Sequence, residues 1–92
     1  MSDLRLPPGG RLIGQGDDAA AAGDVQKAET LYRRAIRAGS SAVVPLAWMQ
    51  LGQLLADDEG RRDEAADAYR RAIASGHEFA VPAARFLLGV LV

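Results

Sequence analysis

Residues 28–52, AETLYRRAIRAGSSAVVPLAWMQLG, return as residues 65–89, AADAYRRAIASGHEFAVPAARFLLG. Twelve of the twenty-five aligned positions are identical, among them Ala28/Ala65, Tyr32/Tyr69, Ala35/Ala72, Gly39/Gly76, Pro45/Pro82, Leu51/Leu88 and Gly52/Gly89, all 37 residues apart. Such a shared register in a 92-residue chain marks one unit used more than once. A period of roughly 20–50 residues is the mark of stacked repeat architectures, in which a unit buries its apolar face only against its neighbours.

The unit reads as two helices. From about Val25 to Ala38, the residues Ala28, Leu31, Tyr32, Ala35 and Ile36 recur at three and four, which lays one apolar stripe along a helix. Asp24 precedes it as an N-cap and Gly39 follows as a C-cap. From about Ala42 to Ala56, the residues Ala47, Trp48, Leu51, Leu54 and Leu55 keep the same period, and Pro45 sits in the first turn, where a missing N–H costs little. Asp57-Asp58-Glu59-Gly60 ends that helix. Helix resumes from about Arg62 to Ser75 and again from about Ala80 to Val92, and a weaker first helix spans about Gly10 to Ala22. The expected fold is all-α: five helices in antiparallel hairpins, with no strand signal.

Glycine inside a helix costs about 1 kcal/mol relative to alanine, so it needs a packing reason. Gly16, Gly52 and Gly89 hold the same place in three successive first helices. Ala28 and Ala65 follow two of them in the partner helices, so Gly and Ala are expected to meet where the helices of a hairpin cross.

Composition removes several classes of function. Net charge is −1 with acids and bases interspersed, which argues against a nucleic-acid footprint. Without cysteine there is neither disulfide nor thiolate metal site. No apolar run reaches the ~20 residues of a membrane span, and Met1 to Gly10 has no signal-like apolar core, so a cytoplasmic protein is expected. No Ser/His/Asp set, phosphate-binding glycine loop or carboxylate pair suggests catalysis or a cofactor. His77, the single histidine, reads as a solvated loop residue. The acids of Asp57-Asp58-Glu59 and Asp63-Glu64 lack the alternation of a calcium loop and suit helix starts. The arginines of the second helices read as a solvated face, with Glu29/Arg33 and Asp67/Arg71 as i,i+4 pairs.

Trp48, Leu51-Gly52, Leu55, Ala65, Tyr69 and Ala72 together resemble the tetratricopeptide repeat, and Leu12, Gly16, Ala19, Gly23-Asp24, Ala28, Tyr32 and Ala35 resemble it in the first unit. The unit of 37 residues exceeds the family's, which is about 34; its longer connections are also similar to the Sel1-like variant. The resemblance implies a right-handed α-solenoid of about two and a half repeats: residues 10–40, 42–77 and a half-repeat at 79–92, after a flexible segment 1–9. It implies a non-catalytic scaffold whose first helices line a concave groove for a peptide or helix. Carried over by position, the groove candidates are Ile13, Asp17, Ala20, Leu46, Met49, Gln53, Asp57, Phe86 and Val90. The family's carboxylate clamp of Lys, Arg and Asn is replaced here by Ile13, Asp17, Gln50, Ala83 and Leu87, so chaperone C-terminal tails are not expected as ligands.

The last helix reads Phe86-Leu87-Leu88-Gly89-Val90-Leu91-Val92, apolar all round, and an unburied apolar helix marks an interaction surface. Ala84, Leu87 and Leu91 can pack on the preceding helix. Arg85, Phe86, Leu88, Gly89 and Val92 remain as candidates for self-association, with a dimer the expected outcome. Two other roles stay open: a purely structural oligomerisation module whose groove its own symmetry mate fills, or the regulatory part of a longer repeat protein.

Overall fold

The structure, a computed structural model, describes residues 7–92. It contains α1 (Gly10–Ala21), α2 (Val25–Ala38), α3 (Val44–Ala56), α4 (Arg62–Ala74) and α5 (Ala80–Leu91), with a single 3₁₀ turn, Glu59–Arg61, ahead of α4. Antiparallel hairpins α1–α2 and α3–α4 stack side by side, and α5 begins a third. The fold is therefore an all-α solenoid of two and a half units.

Each turn has a local cause. The chain leaves α1 through Gly23, whose φ of 83° is left-handed, and enters α2 at Asp24, whose carboxylate accepts from the Lys27 N–H at 3.1 Å. Asp58 accepts from Gly60 N–H at 3.0 Å and starts the 3₁₀ turn. Gly39 and Gly76 are equivalent in sequence but are glycine for different reasons. Gly76 turns the chain at φ 72°, whereas Gly39 is extended (φ −78°, ψ 156°) and is not the left-handed cap its position suggested. A side chain at Gly39 would strike the Ala35 carbonyl oxygen and crowd Pro8. Pro8 also accepts from Ser40 N–H at 3.0 Å, so the described end of the N-terminal segment, expected to be flexible, is fastened to the α2–α3 connection. Residues 1–6 of that segment lie outside the described residues.

The helices form two rows. α1, α3 and α5 touch in succession, while α2 and α4 each pack between two of them without closing on one another. The span between α2 and α4 is crossed instead by long side chains: Arg61 donates to Glu29 at 2.6 and 2.8 Å and to Glu64 at 2.9 Å. Tight contact in one row and spread helices in the other bend the array, leaving its concave side on α1, α3 and α5. A thickness of 19 Å accommodates two helix layers of roughly 10 Å.

Two apolar clusters fill the interior. Ala19, Ala28, Leu31, Tyr32, Leu51, Leu55 and Ala65 form the first; Tyr69, Ala72, Ala80 and Ala84 form the second. Trp48, half-buried, packs against both and joins them. Ala28, Ala35, Ala47, Ala65, Ala72, Ala80 and Ala84 are fully buried, which is what the alanine-rich composition provides: backbones that approach closely.

One helical glycine in each of α1 and α3 faces an aromatic ring. Gly16 faces the ring of Tyr32, and Gly52 faces the ring of Tyr69. The glycine clears room for a ring, a contact that sequence spacing did not single out.

Candidate partner-binding groove and terminal face

Two hollows lie side by side along the concave row. The first, of about 420 Å³, is bordered by Asp17, Ala20, Tyr32, Gln50, Gln53 and Asp57. The second, of about 410 Å³, is bordered by Gln53, Asp57, Arg62, Tyr69, Val90 and Leu91, with Leu87 beside them. Gln53 and Asp57 on α3 belong to both and form the ridge between them.

A tyrosine stands in each hollow, and the two differ. Both residues are 2% exposed. The Tyr32 hydroxyl donates to Asp17 Oδ1 at 2.5 Å, and the same oxygen accepts from Gln50 Nε2 at 2.6 Å. Burial first, then this bond to a carboxylate, pushes the Tyr32 pKa well above its ordinary value. In the second unit Gln53 stands where Asp17 stands in the first, and among the described residues the Tyr69 hydroxyl makes no hydrogen bond. Burial and the negative charge of Asp57 raise its pKa too. The second hollow thus offers an unmatched donor beside an apolar wall.

Of the groove candidates, Asp17, Ala20, Gln53, Asp57 and Val90 border the hollows. Ile13, Leu46 and Met49 are half-buried and pack on the two core clusters. Phe86 is 71% exposed and borders neither hollow. Asp17, a groove candidate from sequence, is held by Tyr32 and Gln50; its partners come from α2 and α3, and sequence spacing carries no sign of them.

The outer face of α5 is understood by comparison with α3, whose equivalent face α4 covers. Pro45 and Gly52 are buried, and Leu55 is 2% exposed; their counterparts Pro82 and Gly89 are exposed and Val92 is 83% exposed. Trp48 is half-buried, and its counterpart Arg85 is exposed. Nothing lies within 4 Å of a side chain placed at Gly89. Ala84, Leu87 and Leu91 pack on the second cluster, as does Leu88, so Leu88 is less available to a partner than its neighbours.

A comparison with protein families matches residues 13–77 to the tetratricopeptide repeat. The chain belongs to the tetratricopeptide repeat family. Neither the search of curated proteins nor that of solved structures gives a match. Tetratricopeptide repeat proteins are in general non-catalytic scaffolds for protein–protein interaction, and the family's signature is here accounted for by packing: Gly52 admits Tyr69, Ala65 and Ala72 are fully buried on the helix that carries that ring, and Leu51 fills the interior.

The convex side of this repeat carries paired charge. Glu29 binds Arg33 at 3.0 Å and Arg61 at 2.6 Å, and these contacts, Arg61 foremost, lower its pKa to about 2. Asp67 pairs with Arg70 at 3.3 Å and not with Arg71 as its i,i+4 spacing suggested. The Arg71 guanidinium lies instead over Trp48, 5.0 Å from the ring centroid, where cation–π attraction holds it. His77 is not an idle loop residue: its Nδ1 accepts from the Phe79 and Ala80 N–H groups, both at 3.2 Å, and so caps α5. Among the described residues no group of three or more His, Cys, Asp or Glu side chains could hold a metal ion, and no helix is long and apolar enough to cross a membrane.

Proposed function

We propose that this tetratricopeptide repeat holds an apolar or amphipathic segment of a protein partner in its concave groove, without catalysis. The observation that carries the reading is the unmatched Tyr69 hydroxyl in a hollow walled by Leu87, Val90 and Leu91. A leucine-like side chain fills such a hollow, and the carbonyl oxygen of its own backbone can accept from Tyr69. The Tyr69 hydroxyl opens onto the hollow, so an acceptor from a ligand there exchanges a bond to water for one to the ligand, a net gain of about 0.5–1.5 kcal/mol.

Selection of displayed peptides against the immobilised chain tests this. The expected binders carry an apolar residue and lose at least tenfold in affinity against Tyr69→Phe and Val90→Glu. Binders indifferent to both substitutions, or no binders at all, overturn the reading. Met49 is a poor probe because it is half-buried in the second cluster, and a charge there would damage the fold.

A second reading is supported by the terminal face: the chain pairs with itself through α5. Phe86 and Val90 at 71% exposed and Val92 at 83% form an apolar strip interrupted only by Arg85. A strip of this kind is a surface for association. Light scattering on the eluted chain decides it: a mass above 9.7 kDa that rises with concentration supports pairing, and a constant monomer mass removes it.

A further inference from the structure

We propose that α5 pairs antiparallel with the α5 of a second copy, the Phe86 ring of each chain seating on Gly89 of the other. The inference rests on the reading that α5 mediates self-association, and it names the contact. Twice within the chain, a helical glycine of the first row receives an aromatic ring: Gly16 receives Tyr32, and Gly52 receives Tyr69. Gly89 is the third glycine of that series, is exposed, and has no ring above it. A seat of the same shape is therefore vacant at the same register.

The chain's own aromatic residues identify the occupant. It has five: one Trp, two Tyr and two Phe. Both tyrosines are committed to their glycines, and Trp48 is held between the two clusters under Arg71. Phe79 lies before the first turn of α5 with its ring 6.2 Å from that of His77. Phe86 alone is mid-helix and projects into solvent at 71% exposure. It also lacks a hydroxyl, so it needs no counterpart of the Asp17 that serves Tyr32.

Phe86 and Gly89 are three residues apart on one helix and lie on neighbouring faces. In an antiparallel pair with its two-fold axis between them, residue 86 of one helix stands opposite residue 89 of the other, and the reverse holds at once. One knob and one hole on the same strip thus make a contact that is its own complement, as a two-fold interface requires. Pro82, Val90 and Val92 extend the apolar contact on either side. Arg85, the single charge of α5, sits toward the edge of the strip, where it can remain hydrated.

Sedimentation equilibrium on the full chain tests the contact. The expected result is a reversible dimer whose Kd rises at least tenfold in Phe86→Ala and equally in Gly89→Leu, which fills the seat. Val25→Glu, at an apolar residue 51% exposed and remote from α5, leaves the Kd unchanged. Neither α5 substitution disturbs a packed site, and unchanged helical circular dichroism verifies this. A wild-type chain monomeric throughout overturns both the self-association reading and this contact, and assigns the face to some other segment. A wild-type dimer that survives Phe86→Ala or Gly89→Leu keeps self-association and overturns the contact alone.

Discussion

Gly52 lies flat against the ring of Tyr69: a Cβ at residue 52 would stand 2.5 Å from Cε1 and 2.7 Å from Cδ1 of that ring. Gly16 and Tyr32 repeat the arrangement, with 2.5 and 2.8 Å to the same atoms. Both rings are buried, so neither can swing away from its glycine without opening the core.

Gly52→Ala is accordingly expected to destabilise the fold. The methyl group forces the Tyr69 ring to move at a cost of about 1–3 kcal/mol, and the better helix propensity of alanine returns only ~1 kcal/mol. Gly89→Ala meets nothing, so the monomer gains up to ~1 kcal/mol from propensity alone. Urea denaturation below the concentration of dimer formation measures both. Equal effects from the two substitutions would contradict the assignment of Tyr69 to Gly52.

The repeat made most of this fold legible. A period of 37 residues with three- and four-residue apolar spacing located α2 and α3 to within about two residues, because the same stripe must recur wherever the same neighbour is to be met. What escaped was set by which residues meet across helices. Sequence spacing pointed from Gly52 to Ala65 and gave no sign of the Tyr69 ring, one turn further along, which the glycine accommodates. Arg71 lies over Trp48 while Asp67 pairs with Arg70, and spacing within one helix carries no sign of a ring on another. Asp17 was legible as a groove position, but its bonds to Tyr32 and Gln50 come from other helices and were not.

Acid weakens the convex network in a defined window. Arg61 and Arg33 lower the Glu29 pKa from 4.5 to about 2, so the stability it contributes is present above about pH 4.5 and fades as pH falls toward 2. A shift of this size corresponds to at most about 3 kcal/mol, and exposure of 19% for Glu29 and 30% for Arg61 reduces that to ~1–2 kcal/mol. Glu29→Gln is expected to cost this amount at pH 7 and to converge on the wild type near pH 2. Thermal unfolding followed across pH reads the convergence, and a deficit that persists to pH 2 would point to lost packing instead.

Alkali acts on the tyrosines. Burial raises the pKa of both above 10, and for Tyr32 the bond to Asp17 adds to it. A raised pKa on a group that is neutral when protonated means stability that is complete below pH 10 and lost as pH rises beyond it. Absorbance at the tyrosinate band is expected to stay low at pH 10 and to rise together with loss of helical circular dichroism. A tyrosine titrating near pH 10 in the folded chain would contradict the burial of these rings.

His77 fixes the start of α5, and with it the geometry of the terminal face. Its Nδ1 accepts from the N–H of Phe79, just ahead of the helix, and of Ala80, its first residue, so His77→Ala is expected to cost ~1 kcal/mol, the ordinary value of a lost cap. His77→Asp should restore the cap and add a favourable interaction with the helix dipole of a few tenths of a kcal/mol. Amide hydrogen exchange at Phe79 to Val81 distinguishes a local effect from a global one: protection there should fall in the alanine variant and return in the aspartate variant.

Peptides ending in a free carboxylate, of the kind chaperone tails present, are expected not to bind. The positions that form the clamp in the proteins this chain resembles hold Ile13, Asp17, Gln50, Ala83 and Leu87. Gln50, the single donor among them, already donates to Asp17 at 2.6 Å. An incoming carboxylate would meet the like charge of Asp17 and the acid of Asp57 on the ridge beside it, in surroundings that replace little of its lost hydration. Fluorescence polarisation with a labelled tail peptide should show no saturable binding, and amidating its C-terminus should change nothing. Micromolar binding that amidation abolishes would require a cationic clamp somewhere in the groove.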